Sequence, residues 1–186
     1  MGTRSDIIVH RADGKWARIY CHWDGYIAHN GKILFDHYNS QERADALVAL
    51  GNISSLAPEI GEKHDFDYAL HALERERVEK LEPGSAYSDP EYLRLKNMCN
   101  VYGRDRSEKD CEAKVGDTIH AVWPPDETWT EFTYVFFDGG SGTPSWWVGD
   151  PDTGSQALVP LKDALDGKAE IHSLIKTPFG ITLGRH

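Results

Sequence analysis

The sequence predicts an α+β fold: a mostly antiparallel sheet built from hairpins, with several short helices. Three observations carry this. The first two β-rich runs flank an Asp-Gly turn, helix caps punctuate the middle, and aromatic β-rich runs return in the second half. Residues 1–81 read as a hairpin plus helices and residues 91–186 as mainly β. A joint falls near 82–90, inside what is expected to be one compact domain.

In "SDIIVHRADGKWARIYCHWDG", residues 6–11 and 15–23 are rich in β-branched and aromatic side chains, and "ADGK" lies between them. Alternation puts Trp16, Arg18, Tyr20 and His22 on one face of the second strand. It puts Ala17, Ile19, Cys21 and Trp23 on the other, the more apolar face, which is expected to meet the core. Asp24-Gly25 ends the strand. "IAHNGKILFDHYN" fits a helix with Asn30 as a cap. "NSQERADALVALG" fits a second, with Asn39 and Glu42 as a capping box and Ala44, Leu47 and Val48 as its buried stripe. "NISSLAPEIGEKHDFD" is turn-rich. "YALHALERERVEKL" fits a largely solvated helix, capped by Asp65 or Asp67. Asp89 before Pro90 is an N-cap followed by proline at the first helical position.

In the second half, "MCNVYG" and "CEAKV" are expected to pair around "RDRSEKD". "TEFTYVFF" is the strongest strand signal in the chain, and "DGGSGT" turns it into "PSWWVGD". A short run "QALVPL" precedes a short helix at "LKDALDG". The tail "IHSLIKTPFGITLGRH" does not declare its structure. There are no low-complexity tracts and no fixed-period repeats.

The chain has 186 residues, 40% of them hydrophobic, and a formal net charge of -10. That is enough apolar material for a core. The acidic field disfavours nucleic acid as a partner and suits a basic protein. Three cysteines at long spacings, Cys21, Cys99 and Cys111, make no disulfide framework and no CxxC zinc site. The N-terminal residues lack a signal-peptide run, and no stretch suits a membrane span. The cytoplasm is therefore the expected location, with no membrane partner.

Four groups carry potential chemistry. In "YCHWDGYIAHN", the candidates are Tyr20, His22, Asp24, Tyr26 and His29. His22, Asp24 and His29 are competent metal ligands, although their spacing matches no standard motif. The plainer alternative is a hairpin end with aromatic anchors. In "YGRDRSEK", Arg104 and Arg106 form a locally basic loop suited to phosphate or carboxylate, unless Asp105 and Glu108 neutralise it. Arg4 in "TRSD" lies beside the first strand and is otherwise a solvated terminal arginine. Among Tyr134, Phe136, Phe137, Trp146 and Trp147, alternation separates the two tryptophans; core packing is the favoured reading of the group, with one exposed tryptophan as a stacking surface the alternative. No GxGxxG, P-loop, GxSxG or EF-hand loop occurs, so no cofactor is expected.

At "MGTRSDIIV", "YCHWDGY", "ISSLAPEIGEKHDFD" and "YGRDRSEK" the chain resembles a family of small tailed-bacteriophage and prophage proteins. Ser107 stands where that pattern has a small residue, often glycine. The resemblance implies expression inside a bacterial host and assigns no reaction.

The preferred expectation is a phage accessory protein of host takeover or counter-defence that acts by binding. Its partner would be a host bacterial protein or a small phosphorylated ligand such as a signalling nucleotide. Arg104, Arg106 and an aromatic of residues 20–26 would carry the contact. A homo-oligomer with a pocket between subunits is compatible with this. The alternatives are a metal-dependent phosphoesterase or nuclease using His22, Asp24, His29 and Asp65 or Asp67, and an acidic mimic of nucleic acid that inhibits a host DNA-binding enzyme.

Overall fold

In the computed structural model, residues 2–124, 130–149, 157–169, 175–176 and 182–183 are described. The opening hairpin forms as its residues dictate. Strand β1 (Ser5–His10) pairs antiparallel with β2 (Trp16–Cys21). Gly14 closes the turn at φ +81°, its amide donating to Arg11 O at 2.9 Å. That is the three-residue loop with a left-handed third position that suits a right-twisted hairpin.

The hairpin sits at the centre of a larger mixed sheet. β3 (Ile53–Ser55) runs parallel to β2, and β4 (Asn100–Val101) pairs antiparallel with β3. β5 (Lys114–Gly116) pairs with the other end of β2. On the opposite side β6 (Phe132–Phe137) runs parallel to β1, and β7 (Ser145–Gly149) and β8 (Ala157–Pro160) follow antiparallel. The short strands β9 (Ile175–Lys176) and β10 (Thr182–Leu183) continue that edge. Antiparallel pairings outnumber parallel ones, as expected, and both halves of the chain contribute strands to the one sheet.

Both faces of the sheet are covered. Helices α1 (Lys32–His37), α2 (Gln41–Val48) and α7 (Leu161–Leu165) pack on the first face, over Ile7, Val9, Ile19, Tyr134, Phe136 and Trp146. The second face carries a smaller core of Ile8, Trp16, Val135, Phe137 and Leu158 under α6 (Ile119–Val122). Trp16 therefore lies in a core of its own and not on a wet face. Trp147 packs against the same cluster, so neither tryptophan of "SWWV" is left as an exposed platform. Helix α3 (Tyr68–Glu79) and helix α4 (Pro90–Lys96), joined through a 3₁₀ turn at Ser85–Ser88, contribute few side chains to the core.

Several local expectations need correction. Asn30 caps no helix: a π-helical turn, Ile27–Gly31, leads straight into α1, and the Asn30 side chain is buried. The cap of α2 is Ser40, whose hydroxyl accepts from Arg43 N at 3.3 Å, one residue after the expected Asn39. "MCNVYG" and "CEAKV" do not pair with each other but go to β3 and β2. "YGRDR" is not a loop but a helical turn, α5 (Tyr102–Arg106). Trp23 is 45% exposed, because the strand stops at Cys21 and alternation ends with it. Asp89 caps α4 as its sequence demands, accepting from Glu91 N at 2.7 Å and Tyr92 N at 3.2 Å. Among the described residues no helix is long and apolar enough to cross a membrane.

Candidate functional site

The second face of the central strands carries a polar groove beside α6. Its floor begins with Asp6, which sits opposite Tyr20 in the hairpin register and is fully buried. Its diagonal neighbour Arg18 donates from Nε to Asp6 Oδ1 at 2.9 Å, and Thr130 Oγ1 donates to Asp6 Oδ2 at 3.0 Å. Arg18 Nη1 donates to Val122 O at 3.2 Å, fixing the guanidinium against the end of α6. Among the described residues Arg18 Nη2 has no partner. Burial pushes the Asp6 carboxyl above its usual range, and the Arg18 charge and hydrogen bonds only partly offset it. On the same face Thr133, opposite Asp6 on β6, has a buried hydroxyl without a partner among the described residues.

Tyr20 and His22 extend the groove along β2. The Tyr20 hydroxyl and His22 Nδ1 share a hydrogen bond of 2.8 Å. Burial, with Tyr102 close by, pushes the Tyr20 phenol up to about 12, so it stays neutral and able to donate at neutral pH. Asn52 fills the interval between β5 and β3, its Oδ1 accepting from Tyr20 N at 2.9 Å. Asn52 O accepts from Tyr102 N at 3.2 Å, so the "YCHWDGY" and "YGRDR" segments do adjoin. They meet through Tyr102, not through the arginines.

Arg4 forms the other wall. Its backbone N donates to Glu131 Oε2 at 2.6 Å, and Nη2 donates to Oε1 at 2.9 Å. Its carbonyl accepts from Glu131 N and Phe132 N. It is thus clamped where β1 meets β6 and is not a frayed terminal side chain. Arg4, Arg18, Tyr20 and Thr130 line a depression of about 260 Å³. A second depression of about 240 Å³, lined by Arg18, Tyr20, Asn52, Glu112 and Lys114, shares its wall. Two guanidiniums, a phenol and a hydroxyl therefore converge, each guanidinium held by its own carboxylate. The guanidiniums and the phenol of this set offer directed donors to an oxyanion at little net charge, while the Thr130 hydroxyl proton is given to Asp6.

The remaining expected residues lie elsewhere. Asp24 turns the chain at φ +56°, a conformation aspartate tolerates. Tyr26 is exposed, with its ring against His29. His29 Nδ1 pairs with Asn30 Oδ1 at 3.0 Å. Among the described residues no three His, Cys, Asp or Glu side chains are placed to hold a metal, so His22, Asp24 and His29 form no centre. Asp65 accepts from Asp67 N and pairs with His71, serving the start of α3.

Arg104 is a structural clamp. It donates to Ile60 O at 2.7 Å, Cys99 O at 2.6 Å and both oxygens of Asp105. Asp105 accepts from Val101 N and His64 N, tying the 60–64 loop to β4. Arg106 lies over the Phe66 ring at 5.2 Å and faces Glu108 at 3.9 Å. Neither arginine reaches the groove.

Arg18, Asp6, Asn52 and Thr130 escape the sequence reading as site residues. The available signal was a lone aspartate opening the apolar run "SDIIV", with an arginine on the same face of the next strand. Cys21 is no nucleophile: burial pushes its thiol up to about 12, and it packs against Asn30. No family model matches the chain, and neither a curated protein nor a solved structure is similar to it.

Proposed function

We propose that the protein works by binding and that the groove over β1 and β2 takes a small phosphorylated ligand such as a signalling nucleotide. The single observation behind this reading is the convergence of Arg4, Arg18, Tyr20 and Thr130 on one depression. Arg18 is pre-oriented by a buried carboxylate, so little side-chain entropy is lost when its fork meets a phosphate. Tyr20 adds a neutral donor and an aromatic surface. The two adjoining depressions reach the lower end of the range for small-molecule sites. The resemblance to phage proteins gives the biological setting: an accessory protein that sequesters a host signal during infection.

Calorimetric titration of the purified protein with linear and cyclic nucleotides tests this. The expected result is binding by one class, weakened at least tenfold by Arg4→Ala or Tyr20→Ala, with the ligand recovered intact after heat release. No binding by any nucleotide, or affinity unchanged in both variants, overturns the reading. Recovery of a hydrolysed product replaces sequestration with turnover.

A further inference from the structure

Helix α3 is turned inward along only one side. Ala72 is buried, Arg75 Nη2 donates to Asp89 Oδ2 at 3.0 Å, and the Glu76 carboxylate accepts from Gly84 N and Ala86 N. These contacts fix which face meets the 3₁₀ turn and α4. The opposite face carries Leu70, Leu73, Glu74, Arg77 and Val78 at helical spacing, with Leu81 just beyond the end of the helix. The four apolar residues are 64%, 38%, 65% and 46% exposed in chain order. A stripe of this kind on a monomer is a cost in water unless something covers it.

We infer that the cover is a second copy of this chain, with the two α3 helices antiparallel about a two-fold axis between Arg75 and Glu76. The order of residues is the reason. That axis sets Leu70 level with Leu81 of the second copy, Leu73 level with Val78, and Glu74 level with Arg77. Each apolar position thus stands level with an apolar position of the second copy, Leu73 and Val78 along the two flanks, and each charge stands level with its opposite. A two-fold interface requires this self-complementarity. Within one chain Arg77 Nη2 already lies 2.7 Å from Glu74 Oε1, so both charges are held on this face. In the dimer each can also serve the facing helix. The net charge of -10 per chain opposes association, and the two crossed Glu74–Arg77 pairs offset that repulsion locally.

The test is the mass in solution by sedimentation equilibrium, using the full chain and two charge variants. The wild type is expected to rise with concentration from 20.9 kDa towards twice that value. Glu74→Arg alone places two arginines at the crossing, and Arg77→Glu alone places two glutamates there, so each is expected to remain monomeric. An equimolar mixture of the two variants restores opposite charges at both crossings and is expected to give the dimer again. Because each variant is measured in both settings, misfolding is separated from loss of the interface. A wild type that stays at the monomer mass overturns the inference. So does a single variant that dimerises as tightly as the wild type, or a mixture that stays monomeric. None of these results depends on what the groove binds.

Discussion

Asp6 and Arg18 form a buried ion pair across the central hairpin, with N–O at 2.9 Å and side-chain exposures of 0% and 15%. The pair is short of solvent, so removing one partner leaves the other unpaired in a poor environment. Arg18→Met is expected to cost roughly 3–5 kcal/mol. Asp6→Asn combined with Arg18→Met is expected to cost less than the sum of the two single changes, because no stranded carboxylate remains. Urea unfolding of the two single variants and the double variant checks this. Additive losses would show that the two side chains act independently.

The same pair sets a pH dependence. Burial raises the folded-state pKa of Asp6 above its ordinary 3.8, against the opposing pull of Arg18. The folded chain therefore holds this proton more tightly than the unfolded chain. The stabilisation from that proton is complete below the ordinary value and is lost as pH rises through the raised one. Asp6→Asn removes this contribution. Its stability relative to wild type is expected to improve as pH rises from about 4 through the raised value, then to level off. Unfolding free energies of both proteins across that pH range give the comparison. A relative stability that is flat or falls with pH would contradict the sign.

Arg104→Ala separates a clamp from a ligand contact. It removes donors to three backbone carbonyls and to Asp105, whose side chain is fully buried. Burial alone would raise the Asp105 carboxyl, yet the hydrogen bonds from Arg104, Val101 N and His64 N together hold it below the usual range. The expected loss is about 3 kcal/mol, with faster amide exchange at His64 and Val101. Groove affinity at a temperature where the variant is folded is expected to stay within threefold of wild type. A tenfold loss of affinity there would return Arg104 to the site.

The hairpin, the strong aromatic strand and the Asp89 cap were legible because each rests on neighbours in sequence. Asp-Gly sets its own turn, and Asp89 bonds amides two and three residues on. What stayed hidden depends on distant partners. β3, β4 and β5 are two or three residues long and are strands only because β2 or β3 offers them an edge. Arg104 looked available because its acceptors at Ile60 and Gly61 are more than forty residues away. The site was half visible. Alternation correctly set Tyr20 beside Arg18, and His22, beyond the end of β2, joins Tyr20 through its ring nitrogen, whereas Thr130 and Glu131 reach the groove only through the parallel pairing of β6 with β1.

Gly25, in the "YCHWDGY" segment, supports the groove without entering it. Its amide donates to Thr3 O at 2.7 Å, and its carbonyl accepts from the buried Tyr134 hydroxyl at 2.7 Å. A Cβ here would stand 2.8 Å from the Arg4 carbonyl carbon and oxygen and 2.9 Å from Ser5 Cβ. Those atoms are backbone and buried side chain, so the strain has no flexible end to absorb it. Gly25→Ala is expected to push residues 3–5 outwards, lengthening the bonds from Glu131 N and Phe132 N to Arg4 O. The loss in stability is expected at about 1–3 kcal/mol, as for other overpacked sites. Hydrogen exchange at Glu131 and Phe132 should accelerate, and groove affinity should fall together with it, because the same displacement carries the Arg4 guanidinium away from Tyr20 and Thr130. Unchanged exchange at those two amides would show that the close approach of Gly25 does not hold Arg4 in place.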